Sequence, residues 1–212
     1  MPMNQARASQ PFIRELATGY LLQYSFMSPK PYCCPDENTV MLSGWEVDKS
    51  GGHYEYQPTC RYPEGFAFHS DWFKLVDTST NGAITLKHQV ARQTEGTLTL
   101  EFRFRLPAAM DGACWQLRDL EQAGVSLVTM GGNLCWETGN VLIACETNRE
   151  YGVKVVAEID SNMADVYVDG ELKARGLPFV HPVKSIDHVL VKTGDAATGE
   201  MFLNPVTFIK AT

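Results

Sequence analysis

Residues 96–107 alternate strictly between apolar and polar side chains, and this stretch constrains the fold more than any other. The apolar positions are Leu98, Leu100, Phe102, Phe104 and Leu106. The polar positions between them are Thr97, Thr99, Glu101, Arg103 and Arg105. Five apolar residues at a two-residue spacing cannot share one face of an α-helix, but they do share one face of a β-strand. The stretch is therefore predicted to be a strand with one buried and one outward face.

Residues 151–175 predict an antiparallel meander of three further strands. The alternation of apolar and polar residues is interrupted twice, at Ser161-Asn162 and at Asp169-Gly170. An Asp-Gly pair between alternating runs favours a type I′ hairpin turn, because both central residues of that turn take positive φ angles. The meander therefore adds three neighbouring strands to one sheet.

The remaining chain reads as more short strands without a long amphipathic helix. About twelve strands can be placed in all, with turns every ~8–12 residues. The chain has 212 residues, of which 44% are hydrophobic, so it can bury one sizeable core. The pattern predicts an all-β protein with a two-sheet antiparallel jelly-roll β-sandwich. We place this single domain at residues 20–212 and a polar N-terminal tail at residues 1–19.

The charge balance and the N-terminal residues limit the partners and the location. A formal net charge of −7 argues against a nucleic-acid partner and disfavours binding to anionic lipid. No apolar run of about 18 residues occurs in the sequence, so no membrane span is predicted. The first residues lack the apolar core of a secretory signal. This predicts a cytoplasmic protein, or a secreted one if a signal peptide has been removed.

The cysteines and histidines do not predict a metal site. The six cysteines are Cys33, Cys34, Cys60, Cys114, Cys135 and Cys145, and no two of them form a Cys-x-x-Cys pair. A chain of this length does not need a disulfide framework, so we expect free, mostly buried thiols in a reducing compartment. His88 follows the apolar phase of Ile84 and Leu86, and it is expected to be a hydrogen-bonded core residue.

Four segments together resemble the concanavalin A-like lectin/glucanase superfamily, and in particular its laminin-G-like members. They are Gly44-Trp45, residues 96–106, residues 151–174 and the closing residues 199–211. The resemblance covers residues 20–212. It implies a jelly roll with a convex and a concave sheet, and sugar sites on the concave face or on the loops at its rim. Members include lectins, carbohydrate-binding modules, glycoside hydrolases and polysaccharide lyases.

The resemblance also bears on cofactors. Calcium is common in this superfamily, where it often ties the first loop to the last strand. The candidate carboxylate ligands are Asp36, Glu37 and Asp48. The Asp-Asn pair that is frequent in the final strand of the family is replaced here by Leu203-Asn204, which weakens the case for calcium. No other cofactor is expected.

Three charged side chains on the polar face of the strand at 96–107 are the first candidates for ligand binding. Glu101, Arg103 and Arg105 stand in a row at spacings of about 7 Å. On a concave sheet this row could hold an acidic sugar, since arginine binds carboxylates in a bidentate manner. The alternative is a solvated face with cross-strand ion pairs.

Aromatic residues are the second group of candidates, because a sugar ring stacks its C–H face on Trp or Tyr. Trp115 and Trp136 lie beside polar turns, and Tyr54 and Tyr56 lie in a stretch that also contains His53 and Glu55. These four aromatic residues are predicted to bind ligand, with core packing as the alternative. Two further tryptophans, Trp45 and Trp72, fall among apolar neighbours and are expected in the core.

No motif assigns a catalytic residue. Glu158-Ile159-Asp160 resembles the start of the Glu-x-Asp-x-x-Glu signature of laminarinase-type glucanases, but Met163 occupies the position of the second Glu. A lyase of this superfamily would use Arg, Gln, His and Tyr on adjacent concave strands. The residues that could be recruited are Gln116, Arg118, His69 and Tyr167, although no short motif supports them.

The sequence therefore predicts a non-catalytic, lectin-like carbohydrate-binding domain, alone or as a module of a polysaccharide-processing protein. Its expected partner is an oligo- or polysaccharide. One alternative is a glycoside hydrolase or polysaccharide lyase acting on an acidic glycan at the concave face. Another is a structural domain that docks a partner domain of a larger protein.

Overall fold

The computed structural model describes residues 20–24, 45–57 and 72–210. Within these ranges the chain forms fifteen β-strands and no helix. The predicted tail at residues 1–19 and the candidate residues Asp36, Glu37 and His69 lie outside the described ranges. No helix that could span a bilayer occurs in the described ranges.

Eight strands form the first sheet, sheet A. They are β1 (Tyr20–Tyr24), β3 (Gly52–Gln57), β4 (Trp72–Asp77), β6 (Thr97–Arg105), β11 (Glu150–Glu158), β12 (Met163–Val168), β13 (Glu171–Pro178) and β15 (Gly199–Lys210). Their order is β13-β12-β11-β6-β15-β4-β3, and β1 pairs with the second half of β15. All pairings are antiparallel.

Seven strands form the second sheet, sheet B. They are β2 (Trp45–Asp48), β5 (Thr85–Gln93), β7 (Cys114–Arg118), β8 (Ala123–Met130), β9 (Asn133–Trp136), β10 (Val141–Ala144) and β14 (Ile186–Lys192). Their order is β10-β9-β8-β7-β14-β5-β2, again with antiparallel pairing throughout. Two antiparallel sheets of this kind confirm the predicted jelly-roll sandwich.

The meander predicted at residues 151–175 is confirmed as β11, β12 and β13 of sheet A. Its first turn contains Asn162 with a φ of 54°. Its second turn contains Asp169 and Gly170 with φ values of 50° and 81°, which is the pair of left-handed residues that a type I′ turn needs.

One cluster of buried apolar side chains lies between the sheets and contains residues from both. The five apolar residues of the strand at 96–107 all belong to it, so the predicted inward face of β6 is confirmed. Trp45 is also in this cluster, as predicted. The single domain at residues 20–212 stays a prediction, since residues 25–44 and 58–71 are outside the described ranges.

A buried polar contact connects the sheets at one end. The Thr193 hydroxyl, just after β14, donates a hydrogen bond to the carboxylate of Asp77 at the end of β4. The same hydroxyl accepts the backbone N–H of Ile84 at 2.9 Å. Asp77 and Thr193 are almost fully buried, so these bonds satisfy polar groups that water cannot reach.

The cysteines in the described ranges are free, as predicted. Cys114 and Cys135 are buried, and Cys145 is partly buried. Burial raises the pKa of the Cys114 thiol to about 12. Cys33, Cys34 and Cys60 lie outside the described ranges.

Candidate functional site

The outward surface of sheet B carries a mostly polar group of side chains that we call the Arg118 face. It is made of Gln89 on β5, Gln116 and Arg118 on β7, Ser126 on β8, and Asp187, His188 and Leu190 on β14. The strand period explains its composition. Trp115 and Leu117 point into the core, so the alternate residues of β7, Gln116 and Arg118, point outward.

Strand β14 brings a histidine next to the arginine. Val189 and Val191 are core residues, so His188 and Leu190 point outward with the same period. The register places His188 opposite Arg118 on one side and opposite Gln89 on the other. Directly opposite residues of an antiparallel pair have Cα atoms about 4.5–5.5 Å apart, so these side chains are immediate neighbours.

The guanidinium of Arg118 is fixed by three uncharged oxygens. Its Nε donates to the Asp119 carbonyl at 3.3 Å, and its Nη2 donates to the Glu121 carbonyl at 2.9 Å. Its Nη1 donates to Oε1 of Gln116 at 3.3 Å. The loop that supplies the two carbonyls is itself shaped by the Asp119 carboxylate, which accepts the backbone N–H of Gln122 at 2.6 Å.

Gln116 extends the network toward β8. Its Nε2 donates to the hydroxyl of Ser126 at 3.1 Å, and Ser126 is fully buried. Gln116 therefore satisfies a buried hydroxyl with its amide nitrogen while its amide oxygen orients Arg118. A series of linked hydrogen bonds of this kind holds the arginine side chain in one position in the absence of a ligand.

His188 is oriented by its neighbour in sequence. The Nδ1 atom of His188 lies 2.5 Å from Oδ1 of Asp187. The histidine is only 6% exposed, and its Nε2 makes no hydrogen bond to any residue that the structure describes. A carboxylate on Nδ1 fixes the ring and leaves Nε2 as the functional nitrogen.

The outward surface of sheet A, which we call the Arg103 face, is organised differently. It is made of Lys74, Glu101, Arg103, Arg105, Glu150, Gly152, Lys154, Glu200 and Phe202. Arg103 pairs with Glu150 at 3.0 Å, and Lys154 pairs with Glu101 at 3.8 Å. These are the cross-strand ion pairs of the alternative interpretation. Ligand binding by Glu101, Arg103 and Arg105 stays a prediction.

A shallow groove of about 630 Å³ runs along the Arg103 face between β6, β11 and the turn at Asp169-Gly170. Gly152 lies on its floor, where the missing side chain leaves a gap in the row between Glu150 and Lys154. Glu101 and Arg103 both line it. The structure therefore brings two of the three charged candidates together at an open surface.

Arg105, the third charged candidate, lies at the other end of the Arg103 face on an aromatic surface. Its guanidinium is 4.0 Å from the ring centroid of Phe202 and 5.7 Å from that of Trp72. The two rings meet edge to face at 6.5 Å. The expectation that Trp72 is a core residue is wrong, because its position in β4 points outward and leaves it partly exposed.

The predicted aromatic candidates are mostly in the interior. Trp115 and Trp136, which were predicted to bind ligand, are instead core residues, since they are 1% and 0% exposed and belong to the core cluster. Trp115 follows the inward phase of β7, and Trp136 donates its Nε1 hydrogen to the Pro178 carbonyl at 3.1 Å. A fully covered ring cannot stack on a sugar.

The two tyrosines lie on β3, at the edge of sheet A. Tyr54 is partly buried and packs against Phe73, with ring centroids 5.1 Å apart. Tyr56 is paired in register with Phe73, and its side chain is outside the described part of the structure. Among the described residues, no Trp, Tyr or Phe lies on the Arg118 face.

The catalytic alternatives receive different support. Glu158 accepts a hydrogen bond from the Ser161 hydroxyl at 2.8 Å, and Asp160 accepts the backbone N–H of Gly96 at 3.0 Å. These bonds give both carboxylates a role in the turn. Of the lyase set, Gln116 and Arg118 are neighbours, whereas Tyr167 lies on the outward surface of the other sheet.

Sequence reasoning missed His188 as a partner of Arg118. The alternation in the run Asp187–Lys192 could have shown that His188 points outward, but not that β14 pairs with β7.

The candidate calcium ligand Asp48 accepts the backbone N–H of Ser50 at 2.9 Å. No cluster of three or more His, Cys, Asp or Glu side chains suited to a metal occurs within residues 20–24, 45–57 and 72–210.

Comparison with known proteins finds matches only among solved structures. No family model and no curated protein sequence matches the chain. A sialidase matches with a TM-score of 0.66 and 15% identity over 82% of this chain, which spans only 17% of the sialidase chain. The cellulose-induced protein Cip1 matches with a TM-score of 0.59 and 13% identity over 82% of this chain and 95% of its own. The carbohydrate recognition domain of Emp47p matches with a TM-score of 0.50 and 13% identity, and the match covers 84% of this chain and 95% of the Emp47p domain.

Proposed function

Since this chain has the concanavalin A-like jelly-roll fold, we propose that it binds an oligo- or polysaccharide through the Arg118 face without cleaving it. One observation carries the proposal. Arg118, Gln116 and His188 are each held by hydrogen bonds within the protein, whereas one N–H on each terminal nitrogen of Arg118 and the Nε2 atom of His188 have no described partner.

Sugar hydroxyls need donors and acceptors that are already in place, because ordering side chains on binding reduces affinity. The Arg118 face meets this condition through Gln116, which is bonded to Arg118 and to Ser126 at once. Leu190, which is 8% exposed, and Val128 add apolar side chains to the same surface. Polar groups around a small apolar area are typical of ligand sites.

The degree of shelter also favours this face. His188 and Leu190 are 6% and 8% exposed although they point away from the core. On the Arg103 face, the side chain of Arg103 is 60% exposed. Hydrogen bonds to a ligand are stronger where water is partly excluded. The carbohydrate recognition domain of Emp47p among the matched structures supports a saccharide as the ligand.

The proposal is tested by a glycan-array and affinity screen with neutral and acidic polysaccharides. We expect retention without product, and a loss of about tenfold or more in affinity for Arg118→Gln, because hydrogen bonds to a charged group are among the stronger ones. Arg103→Gln is the matched control, since it removes the same charge from the opposite sheet. Equal losses in both variants, or no retention on any glycan, would contradict the proposal; the second result would favour a domain-docking role.

A polysaccharide lyase is the second candidate, and the Asp187–His188 pair favours it. Arg118, oriented by Gln116, would neutralise a uronate carboxylate while His188 takes the proton from C5 through Nε2. The C4–O bond then breaks, a C4=C5 double bond forms, and the leaving oxygen takes a proton from water. New ultraviolet absorbance from unsaturated ends would establish this reaction. In that case His188→Gln should abolish turnover and keep most of the binding.

A further inference from the structure

We infer that the Arg118 face selects glycans that carry a carboxylate group, with Arg118 as the residue that binds it. This inference rests on the proposed function and specifies the chemical class of the ligand. It comes from a comparison of how the two outward faces neutralise their cations.

The cations that line the groove of the Arg103 face already have carboxylate partners. Arg103 is paired with Glu150, and Lys154 with Glu101. By contrast, no carboxylate in the described part of the chain forms an ion pair with Arg118. All three of its described hydrogen bonds end on uncharged oxygens. Hydrogen bonds within the protein therefore orient the guanidinium of Arg118, but its positive charge has no described counter-ion.

A partly buried cation without a counter-ion is energetically unfavourable, because the protein replaces only part of the lost hydration. Arg118 is partly buried, and its neighbours Ser126 and His188 are more buried still. A bound anion would supply the missing charge. Carbonyl and amide oxygens around an arginine orient it for such a ligand without competing with the ligand's charge.

The number of free donors fits a carboxylate. A guanidinium has five N–H donors, and the three described bonds use one each on Nε, Nη1 and Nη2. Five minus three leaves two donors, one on each terminal nitrogen. A carboxylate has two oxygens and takes two parallel N–H donors from an arginine, a geometry that a single hydroxyl oxygen does not match.

Several carboxylates on or beside sheet B bond to groups other than Arg118, and the Asp119 carboxylate accepts the backbone N–H groups of Glu121 and Gln122. The Asp187 carboxylate is bonded to His188, and the Asp195 carboxylate is paired with Lys192 at 2.5 Å. Glu46 stands opposite Lys87 at the outer end of the sheet. In a chain of net charge −7, a cationic centre of this kind attracts anionic ligands locally.

The test uses glycan pairs that differ only in the charge of the carboxyl group. Homogalacturonan, alginate and hyaluronan oligosaccharides are each compared with their methyl esters by isothermal titration calorimetry at one salt concentration. For at least one pair we expect the acid to bind about tenfold or more tightly than its ester, since a charged hydrogen-bonded pair is lost in the ester. Arg118→Gln should bring this ratio close to one. Arg118→Lys should restore part of this affinity ratio, because lysine keeps the positive charge but lacks the paired, planar N–H donors of arginine. Arg103→Gln should keep the full ratio.

Failure of this inference differs from failure of the proposed function. Binding of acid and ester with equal affinity overturns the inference and leaves carbohydrate binding intact. Binding of neutral glycans alone has the same meaning. An acid preference that persists in Arg118→Gln also overturns the inference, because another residue then binds the carboxylate. If no glycan of the screen binds, both the inference and the proposed function fall.

Discussion

The two outward faces of this sandwich use charged residues in opposite ways. On the Arg103 face, cations and carboxylates neutralise one another across neighbouring strands at exposed positions, as Arg103 and Glu150 do. On the Arg118 face, the arginine is held by carbonyl and amide oxygens in a more sheltered surface. In the first arrangement, the cations that line the groove have carboxylate partners without a ligand. The second is oriented but not neutralised, and this difference is what distinguishes a solvated surface from a candidate binding site.

The largest expected effect concerns the layer between the faces. Trp136→Ala should lower the free energy of unfolding by about 3–5 kcal/mol, because it removes a fully buried indole from the core. Urea unfolding followed by circular dichroism measures the loss. Trp136→Phe, which keeps an aromatic ring but removes the bond to Pro178, should lose less. A loss below about 1 kcal/mol for the alanine variant would mean that Trp136 is not a core residue.

The second prediction separates the two faces by stability. Gln116→Ala should cost about 1–3 kcal/mol, because the buried Ser126 hydroxyl then lacks its partner. Arg103→Ala should cost no more than about 1 kcal/mol, since it breaks only an exposed ion pair. Chemical denaturation of both variants measures the difference. Equal costs would show that the network of the Arg118 face is no better ordered than the surface ion pairs.

The third prediction concerns pH, because the two sheets should lose stability in different ranges. Burial lowers the pKa of His88, which packs under sheet B against Trp45. As the pH falls below 6.5, the ordinary pKa of His88, the unfolded chain takes up a proton that the folded chain resists, so stability decreases until the folded pKa is reached.

Sheet A has the corresponding acid-sensitive group in Glu55. Burial raises the pKa of Glu55, but hydrogen bonds from His53 and Lys74 outweigh it and leave the pKa lowered from 4.5. Its contribution is therefore present above pH 4.5 and is lost as the pH falls through the lower folded pKa. The free energy of unfolding is measured against pH for the wild type and both variants. Relative to the wild type, the curve of His88→Gln should be flatter just below pH 6.5, and the curve of Glu55→Gln should be flatter below pH 4.5. Identical curves for the three proteins would contradict this assignment.

The smallest expected effect is the coupling between Glu101 and Lys154. Their charged atoms are 3.8 Å apart, and both side chains are about half exposed. A double-mutant cycle with Glu101→Gln and Lys154→Gln should give a coupling energy below about 0.5 kcal/mol that decreases with added salt. A salt-resistant coupling of more than about 1 kcal/mol would mean that this face is more strongly organised than its exposure indicates.

The sequence predicted the strands well because their periodicity is local. The five apolar residues of β6 and the Asp169-Gly170 turn each carry their own signal, and both are confirmed. The predicted two-sheet jelly roll is confirmed, and the matched structures share this fold. The inward phase of Trp115 could have been recognised from Leu117 two residues later, which is equally buried.

The candidate site was harder to predict because it depends on pairing between distant segments. Strand β7 meets β14 about seventy residues later, and only this pairing brings His188 beside Arg118. A two-residue period shows which residues of a strand share a face. It does not show which of the two sheets has the outward surface that is less exposed to solvent. Arg103 and Arg118 therefore look alike in sequence, and their ion-pair partners distinguish them only in the folded protein.

The most direct test of the account maps the ligand onto one of the two faces. Backbone amide NMR spectra are recorded with and without a uronate oligosaccharide that the affinity screen retains. We predict shift changes that cluster on β5, β7, β8 and β14 around Arg118 and leave β6 and β11 unchanged. Shift changes that cluster along the groove at Glu101, Arg103 and Gly152 would contradict the account and assign binding to the Arg103 face.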